Sequence, residues 1–190
     1  MNAEEALARL QEGNIRYCLS DGRSGGCPEE LRVKTAREGQ FPYAVIIACA
    51  DSRVIPECIF SAGIGELFVI RVAGNVVADH QLGSVEYAVG HLHTPLVVVL
   101  GHTHCGAVGA ALSGHGEGFI RSITDEIAKA AEGTTDEREA AIRNAVHSAA
   151  VIRSACMSRK LDVKVVSALY DIEDGSVQWL AKRESAENNA

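Results

Sequence analysis

The sequence predicts an α/β fold: a central, mostly parallel β-sheet flanked by helices, with a helical arm at the N-terminus. Three observations carry this expectation. Residues 43–48, 67–72 and 96–100 are short apolar runs, broken only by Arg71, with the length and lack of alternation of strands covered on both faces. Segments with helical spacing lie between and after them. The first and third runs each end in a polar cluster, Cys49-Ala50-Asp51-Ser52-Arg53 and Gly101-His102-Thr103-His104-Cys105-Gly106. The carboxyl ends of parallel strands are where open α/β folds gather chemical groups.

The elements follow in chain order. Residues 2–19 read as a helix, with Asn2 and Glu5 in a capping-box relation and Leu7, Leu10 and Tyr17 on one face. Residues 21–28, rich in glycine and polar side chains, read as a loop. After the first two strands, Leu82, Val85, Val89 and Leu92 mark out a helix over 82–92. From Gly106 a run of small residues to Leu112 starts a helix directly behind the second polar cluster, before a glycine-rich break at 113–118. Thr134 and Glu137 form a capping box for a long helix carrying Ile142, Ala145, Val146, Ala149, Ile152 and Cys156 on one side. Residues 163–170 are the last long strand, and Asp174-Gly175 predicts a hairpin turn into 177–180. With no internal repeat or linker, residues 1–190 are read as a single domain. Within it, 1–20 form the arm, 40–112 the core carrying the candidate site, 113–135 a variable loop or helix, and 136–190 the long helix with the C-terminal strand and hairpin.

Composition narrows the function classes. A chain of 190 residues can bury a substantial core. Its formal charge of −7 argues against nucleic acid or an anionic membrane as a general partner and favours a small-molecule substrate. The start shows no basic segment followed by an apolar one, and no run approaches the roughly 20 apolar residues of a membrane helix, so a cytoplasmic location is expected. Six cysteines in such a chain are expected to be reduced thiols. Cys18, Cys27, Cys58 and Cys156 have no spacing partner and read as packing residues.

Cys49 and Cys105 differ by context. If runs 43–48 and 96–100 are neighbouring parallel strands, Cys49, His102 and Cys105 meet on one sheet edge. Two thiolates and one imidazole suit a tetrahedral zinc ion with a fourth position open, the pattern of a catalytic rather than a structural site. His104 lies between two of these residues, and its adjacent position points it away, toward solvent or a supporting contact.

These residues bring a family into view. The chain resembles the β-class carbonic anhydrases, whose signatures are Cys-x-Asp-x-Arg and His-x-x-Cys-Gly. The resemblance extends to Gly39-Gln40-Phe41-Pro42, Gly65-Glu66-Leu67-Phe68, residues 71–75, Ser84-Val85-Glu86-Tyr87-Ala88-Val89 and Tyr170-Asp171-Ile172, in family order. It implies a β-carbonic anhydrase-like fold and zinc-dependent, reversible hydration of carbon dioxide to bicarbonate and a proton, by attack of zinc-bound hydroxide. It also implies that Cys49, His102 and Cys105 hold zinc, with water or the carboxylate of Asp51 as fourth ligand, and that Asp51 and Arg53 are catalytic. In this reading Arg53 holds Asp51 off the metal through a charge-assisted pair.

The resemblance further implies that Gln40, Phe68 and Tyr87 line a narrow apolar pocket and that the N–H of Gly106, at a helix N-terminus, receives the charge of bicarbonate. By composition alone Phe68 and Tyr87 read as core aromatics. Family members build homodimers or homotetramers with the active site at the dimer interface, so Gln40, Phe68 and Tyr87 are expected to serve a partner's zinc and the amphipathic N-terminal helix to embrace that partner. Relatives on the same scaffold hydrolyse carbonyl sulfide or carbon disulfide, which stands as an alternative. A zinc-binding structural or regulatory protein without catalysis stands as a second.

Two departures from the family pattern bear on subtype. Members inhibited by bicarbonate carry tryptophan three positions before the first cysteine, acting with an arginine and a tyrosine. Arg71 and Tyr170 match those two, but the tryptophan position is Ile46, which has no N–H to donate. Bicarbonate inhibition of that kind is therefore not expected. Ala73 stands where plant-type members have valine, which implies a slightly wider pocket.

Overall fold

The computed structural model describes residues 1–19 and 27–180. Five strands, β1 (Ala44–Ala48), β2 (Leu67–Arg71), β3 (Leu96–His102), β4 (Lys164–Tyr170) and β5 (Val177–Leu180), form one sheet in the order β2-β1-β3-β4-β5. β2, β1, β3 and β4 are parallel, and β5 runs antiparallel to β4. In the register of the central strands Ile46 sits opposite both Val69 and Val98.

Every residue of β1 and of β3 is buried, which explains why these runs are apolar throughout rather than alternating. The pleat still divides them. Ile46, Leu96, Val98 and Leu100 pack with Leu10, Ile59 and Phe60 on one face; Val45, Ile47, Val97 and Val99 pack with Val85, Val89, Ala145, Ala149 and Ile152 on the other. The first face is covered by α1 (Ala3–Leu19) and α3 (Pro56–Ile59), the second by α4 (Asp79–Gly90) and α7 (Glu137–Ser158). α5 (Gly106–Leu112) and α6 (Arg121–Ala130) join α7 around a third cluster that contains Cys49 and Cys105. The remaining helix is α2 (Glu29–Glu38).

Most sequence expectations find their element. The Asn2–Glu5 capping box is reciprocal, with Asn2 N–H donating to Glu5 Oε2 and Glu5 N–H to Asn2 Oδ1, each at 2.9 Å. The hairpin turn before β5 contains Gly175 at φ 79°. Part of the expected loop, residues 21–26, lies outside the described residues.

Four details differ. Helix α2 was not expected and buries none of its residues, so it leaves no apolar periodicity in the sequence. Helix α4 begins earlier than residue 82 and stops before Leu92, because His93 adopts φ 56° and the Thr94 N–H folds back onto the Ala88 carbonyl. The N-cap of α7 is Asp136 rather than Thr134: its carboxylate accepts from Glu139 N–H at 2.7 Å, while Thr134 Oγ1 accepts from Asp136 N–H. A charged acceptor is the better match to the positive end of a long helix. The face of α1 formed by Ala6 and Leu10 is buried against this chain's own sheet rather than left free, while Ile15 and Leu19 are exposed.

Among the described residues no helix is long and apolar enough to cross a membrane.

Candidate metal centre

The sheet order builds the centre. β1 ends at Ala48, which places Cys49 one residue past the strand, and β3, hydrogen-bonded beside it, ends on His102. Cys105 is the N-cap residue of α5. The two sulfurs and a ring nitrogen of His102 lie within 4.8 Å of one another, all three residues buried, and among the described residues this is the one group of such side chains placed to hold a metal ion.

His102 is prepared for that role. Its Nδ1 lies 2.8 Å from the Thr103 carbonyl, to which it donates, so Nε2 carries the free lone pair. Nε2 is buried with no hydrogen-bond partner among the described residues. A buried bare imidazole nitrogen beside two sulfurs fits a metal ligand whose other nitrogen is fixed by a backbone carbonyl.

The sulfurs sit among backbone donors. Cys49 Sγ accepts from Gly74 N–H at 3.2 Å and from Asp51 N–H at 3.4 Å. Cys105 sits at the start of α5, where the backbone N–H groups of the first turn partly offset the burial of its sulfur. The neighbouring Cys105 sulfur, more than any other influence, lowers the Cys49 thiol; burial opposes it and the two N–H groups assist. Cys49, with burial, pushes Cys105 up. A divalent cation held between the two sulfurs would bind them as thiolates, displacing the remaining proton.

Asp51 and Arg53 form a fork beside this group. Arg53 Nε donates to Asp51 Oδ1 at 2.9 Å and Nη2 to Oδ2 at 2.7 Å, and the Arg53 N–H adds a bond to Oδ1 at 2.9 Å. These bonds, the Arg53 side chain foremost, hold the Asp51 carboxyl well below the usual carboxylate range. Arg53 Nη2 also donates to the His104 carbonyl at 3.1 Å, which ties the two polar clusters together. His104 itself is held at φ 55°, with its ring exposed and Nε2 3.1 Å from Glu173. The ring thus faces solvent and Glu173, while the His104 backbone carbonyl is what reaches Arg53.

Three contributors were not read from the sequence: the Gly74 N–H, the His104 carbonyl and Arg71. Arg71 Nε donates to the Cys49 carbonyl at 3.1 Å and Nη2 to the Asp51 carbonyl at 2.6 Å, bracing the loop that carries both residues. The signal for Arg71 was its place at the end of an edge strand whose other residues are apolar.

The remaining candidates stand elsewhere. Phe68 on β2 packs into the cluster of Val45 and Ile47 rather than that of Cys49 and Cys105. Tyr87 on α4 lies against it with ring centroids 6.2 Å apart and is 48% exposed. Gln40 is exposed in the connection between α2 and β1. Gly106 opens α5, and a Cβ there would meet nothing within 4 Å, so space rather than crowding surrounds it. Ile46 is fully buried in the α1-side core, and the Tyr170 hydroxyl lies 3.1 Å from that of Tyr17. Ala73 starts a 3₁₀ turn, Ala73–Asn75.

Comparison with known proteins agrees along the chain. Residues 44–177 match the sequence model of the family described as carbonic anhydrase. Carbonic anhydrase 2 of Mycobacterium tuberculosis is 36% identical, over 92% of this chain and 91% of its own. The β-carbonic anhydrase of Aspergillus fumigatus superposes with a TM-score of 0.70 at 26% identity, covering 93% of this chain and 89% of that one. A Sordaria macrospora β-carbonic anhydrase, described as tetrameric, gives 0.66 at 28% identity, covering 80% and 87%.

Proposed function

The chain belongs to the β-carbonic anhydrase family of lyases, and from that premise we propose that it interconverts carbon dioxide and bicarbonate at a zinc ion held by Cys49, His102 and Cys105. One observation carries the reading: two sulfurs and the bare Nε2 of His102 converge within 4.8 Å, while Arg53 engages both carboxylate oxygens of Asp51, the residue able to close a fourth position. The donor set suits zinc. When bound, zinc supplies a Lewis acid that makes water nucleophilic near neutral pH.

The chain's own residues supply the rest. Asp51, kept ionised and oriented by Arg53, accepts a hydrogen bond from the attacking water. The Gly106 N–H, at the start of α5 on a residue with no side chain and room where a Cβ would stand, is offered to the charge of bicarbonate. Phe68 and Tyr87, with Gln40, form the apolar pocket wall. The packing of Phe68 and Tyr87 away from the Cys49–Cys105 cluster supports the view that they serve the partner's site in a dimer or tetramer.

A stopped-flow assay of carbon dioxide hydration, run beside sulfide release from carbonyl sulfide, tests the function. Rapid hydration that is lost when zinc is chelated and returns when zinc is restored is expected. Zinc-loaded protein without hydration at any pH, or with sulfide release much the faster reaction, overturns the proposal.

A further inference from the structure

We propose that Asn144 on α7 is a positioning residue for the metal centre, holding Gly74 so that its N–H donates to the Cys49 sulfur. The inference rests on the zinc-site reading above.

Asn144 is 1% exposed on the buried side of α7, whose other members are Ala140, Ala141, Ala145, Ala149, Ile152, Cys156 and one further polar residue, Ser148. An amide in such a setting is unfavourable unless hydrogen-bonded, and Asn144 Oδ1 finds no partner among the described residues, so the bond made by Nδ2 is the one that anchors it. Its Nδ2 donates to the Gly74 carbonyl at 2.7 Å, across 70 residues of sequence. The N–H of the same Gly74 donates to Cys49 Sγ at 3.2 Å. One residue therefore links the buried amide to a metal-ligating sulfur.

The link needs holding. Gly74 (φ 66°) and Asn75 (φ 46°) are consecutive left-handed residues, a conformation that glycine and asparagine tolerate better than other residues but that still needs its neighbours to fix it. Gly74 is also wedged beneath the helices: a Cβ would stand 2.6 Å from Ile127 Cδ1 and 3.1 Å from Ala107 Cβ. A turn with this backbone relaxes unless it is tethered, and relaxation swings the N–H off the sulfur. N–H donation draws charge from a thiolate and so tunes the metal that the thiolate binds.

The test compares Asn144→Leu, which keeps the branched shape in a somewhat larger side chain but has no donor, with Ile152→Val, a packing change on the same helix. The readouts are the thiolate-to-metal charge-transfer band of the cobalt(II)-loaded protein and zinc affinity by competition with a chelator. In Asn144→Leu the band moves to longer wavelength and zinc affinity falls about tenfold; in Ile152→Val both stay at wild-type values. An unmoved band with unchanged affinity in Asn144→Leu overturns the proposal, as does an equal shift in Ile152→Val. If Asn144→Leu does not fold, the cadmium-113-loaded wild type decides. Coupling between the metal and the Gly74 amide proton is expected, and its absence overturns the proposal. Wild-type protein that binds cobalt(II) without any thiolate band refutes the metal-site reading itself, and this inference with it.

Discussion

Replacing Gly13 by alanine sets two effects of known size against each other. Gly13 lies inside α1, where alanine is favoured over glycine by about 1 kcal/mol, so propensity alone predicts a more stable protein. The packing predicts the reverse. A Cβ at Gly13 would stand 2.0 Å from the Phe60 carbonyl oxygen and 2.7 Å from its carbon, both backbone atoms that no rotamer change can move. Since close C···O contacts lie at about 3.3 Å, α1 must retreat from α3 by more than roughly 1 Å. That retreat stretches the bonds from Ser61 Oγ to the Gly13 carbonyl (2.9 Å), from Asn14 Nδ2 to the carbonyls of Gly175 (2.9 Å) and Ile59 (3.3 Å), and from Val177 N–H to Asn14 Oδ1 (2.9 Å). Losing two or three of them costs roughly 1 kcal/mol each, and overpacking around Leu10 and Phe60 adds about 1–3 kcal/mol. After the propensity gain, Gly13→Ala should be about 2–5 kcal/mol less stable, which lowers Tm by roughly 4–20 °C at this chain length. Thermal and urea unfolding, at matched protein and zinc concentrations, measure it. A variant as stable as the wild type or more so refutes the seating of α1 on α3.

Three further outcomes are expected. Cys49→Ser should lose zinc, whereas Asp51→Asn and Arg53→Gln should retain it with hydration slowed about 10–100-fold; metal analysis beside the rate assay checks this, and equal zinc loss in all three contradicts the separate roles. Because Arg53 depresses the Asp51 carboxyl, their pair stabilises the fold fully above the unfolded pKa of about 3.9 and loses that contribution as pH falls toward the folded value. The gap in urea midpoint between wild type and Asp51→Asn should therefore narrow from about pH 6 to about pH 3, and a constant or widening gap opposes the sign. Added bicarbonate should cause no steep, pH-dependent loss of activity, since Ile46 is sealed in the core and Arg71 is engaged by the Cys49 and Asp51 carbonyls; such a loss, with bicarbonate found beside Ile46, contradicts this.

How much was legible depended on whether a feature left a trace in residue order. β1 and β3 were plain because strands buried on both faces must be apolar at every position, and the adjacency of such strands places Cys49 beside His102 and Cys105. The Asp51–Arg53 fork is local, two residues apart, and its residue types announce it. Helix α2 was silent because it packs no residue into the core. The cap of α7 was misplaced because Thr134–Glu137 and Asp136–Glu139 offer the same spacing, and only the backbone geometry chooses between them. The donors to the Cys49 sulfur were hidden for another reason. They are backbone groups of Asp51 and Gly74, and the direction of the second is set by the left-handed turn at Gly74 and Asn75 and by Asn144 far along the chain.

The central claim, zinc held by two sulfurs and one imidazole in an enzyme that hydrates carbon dioxide, is met most directly by zinc X-ray absorption on catalytically active protein. The account predicts one zinc per chain with two sulfur neighbours at about 2.3 Å and the remaining neighbours nitrogen or oxygen at about 2.0–2.1 Å. Active protein whose zinc has no sulfur neighbours, or four, contradicts it.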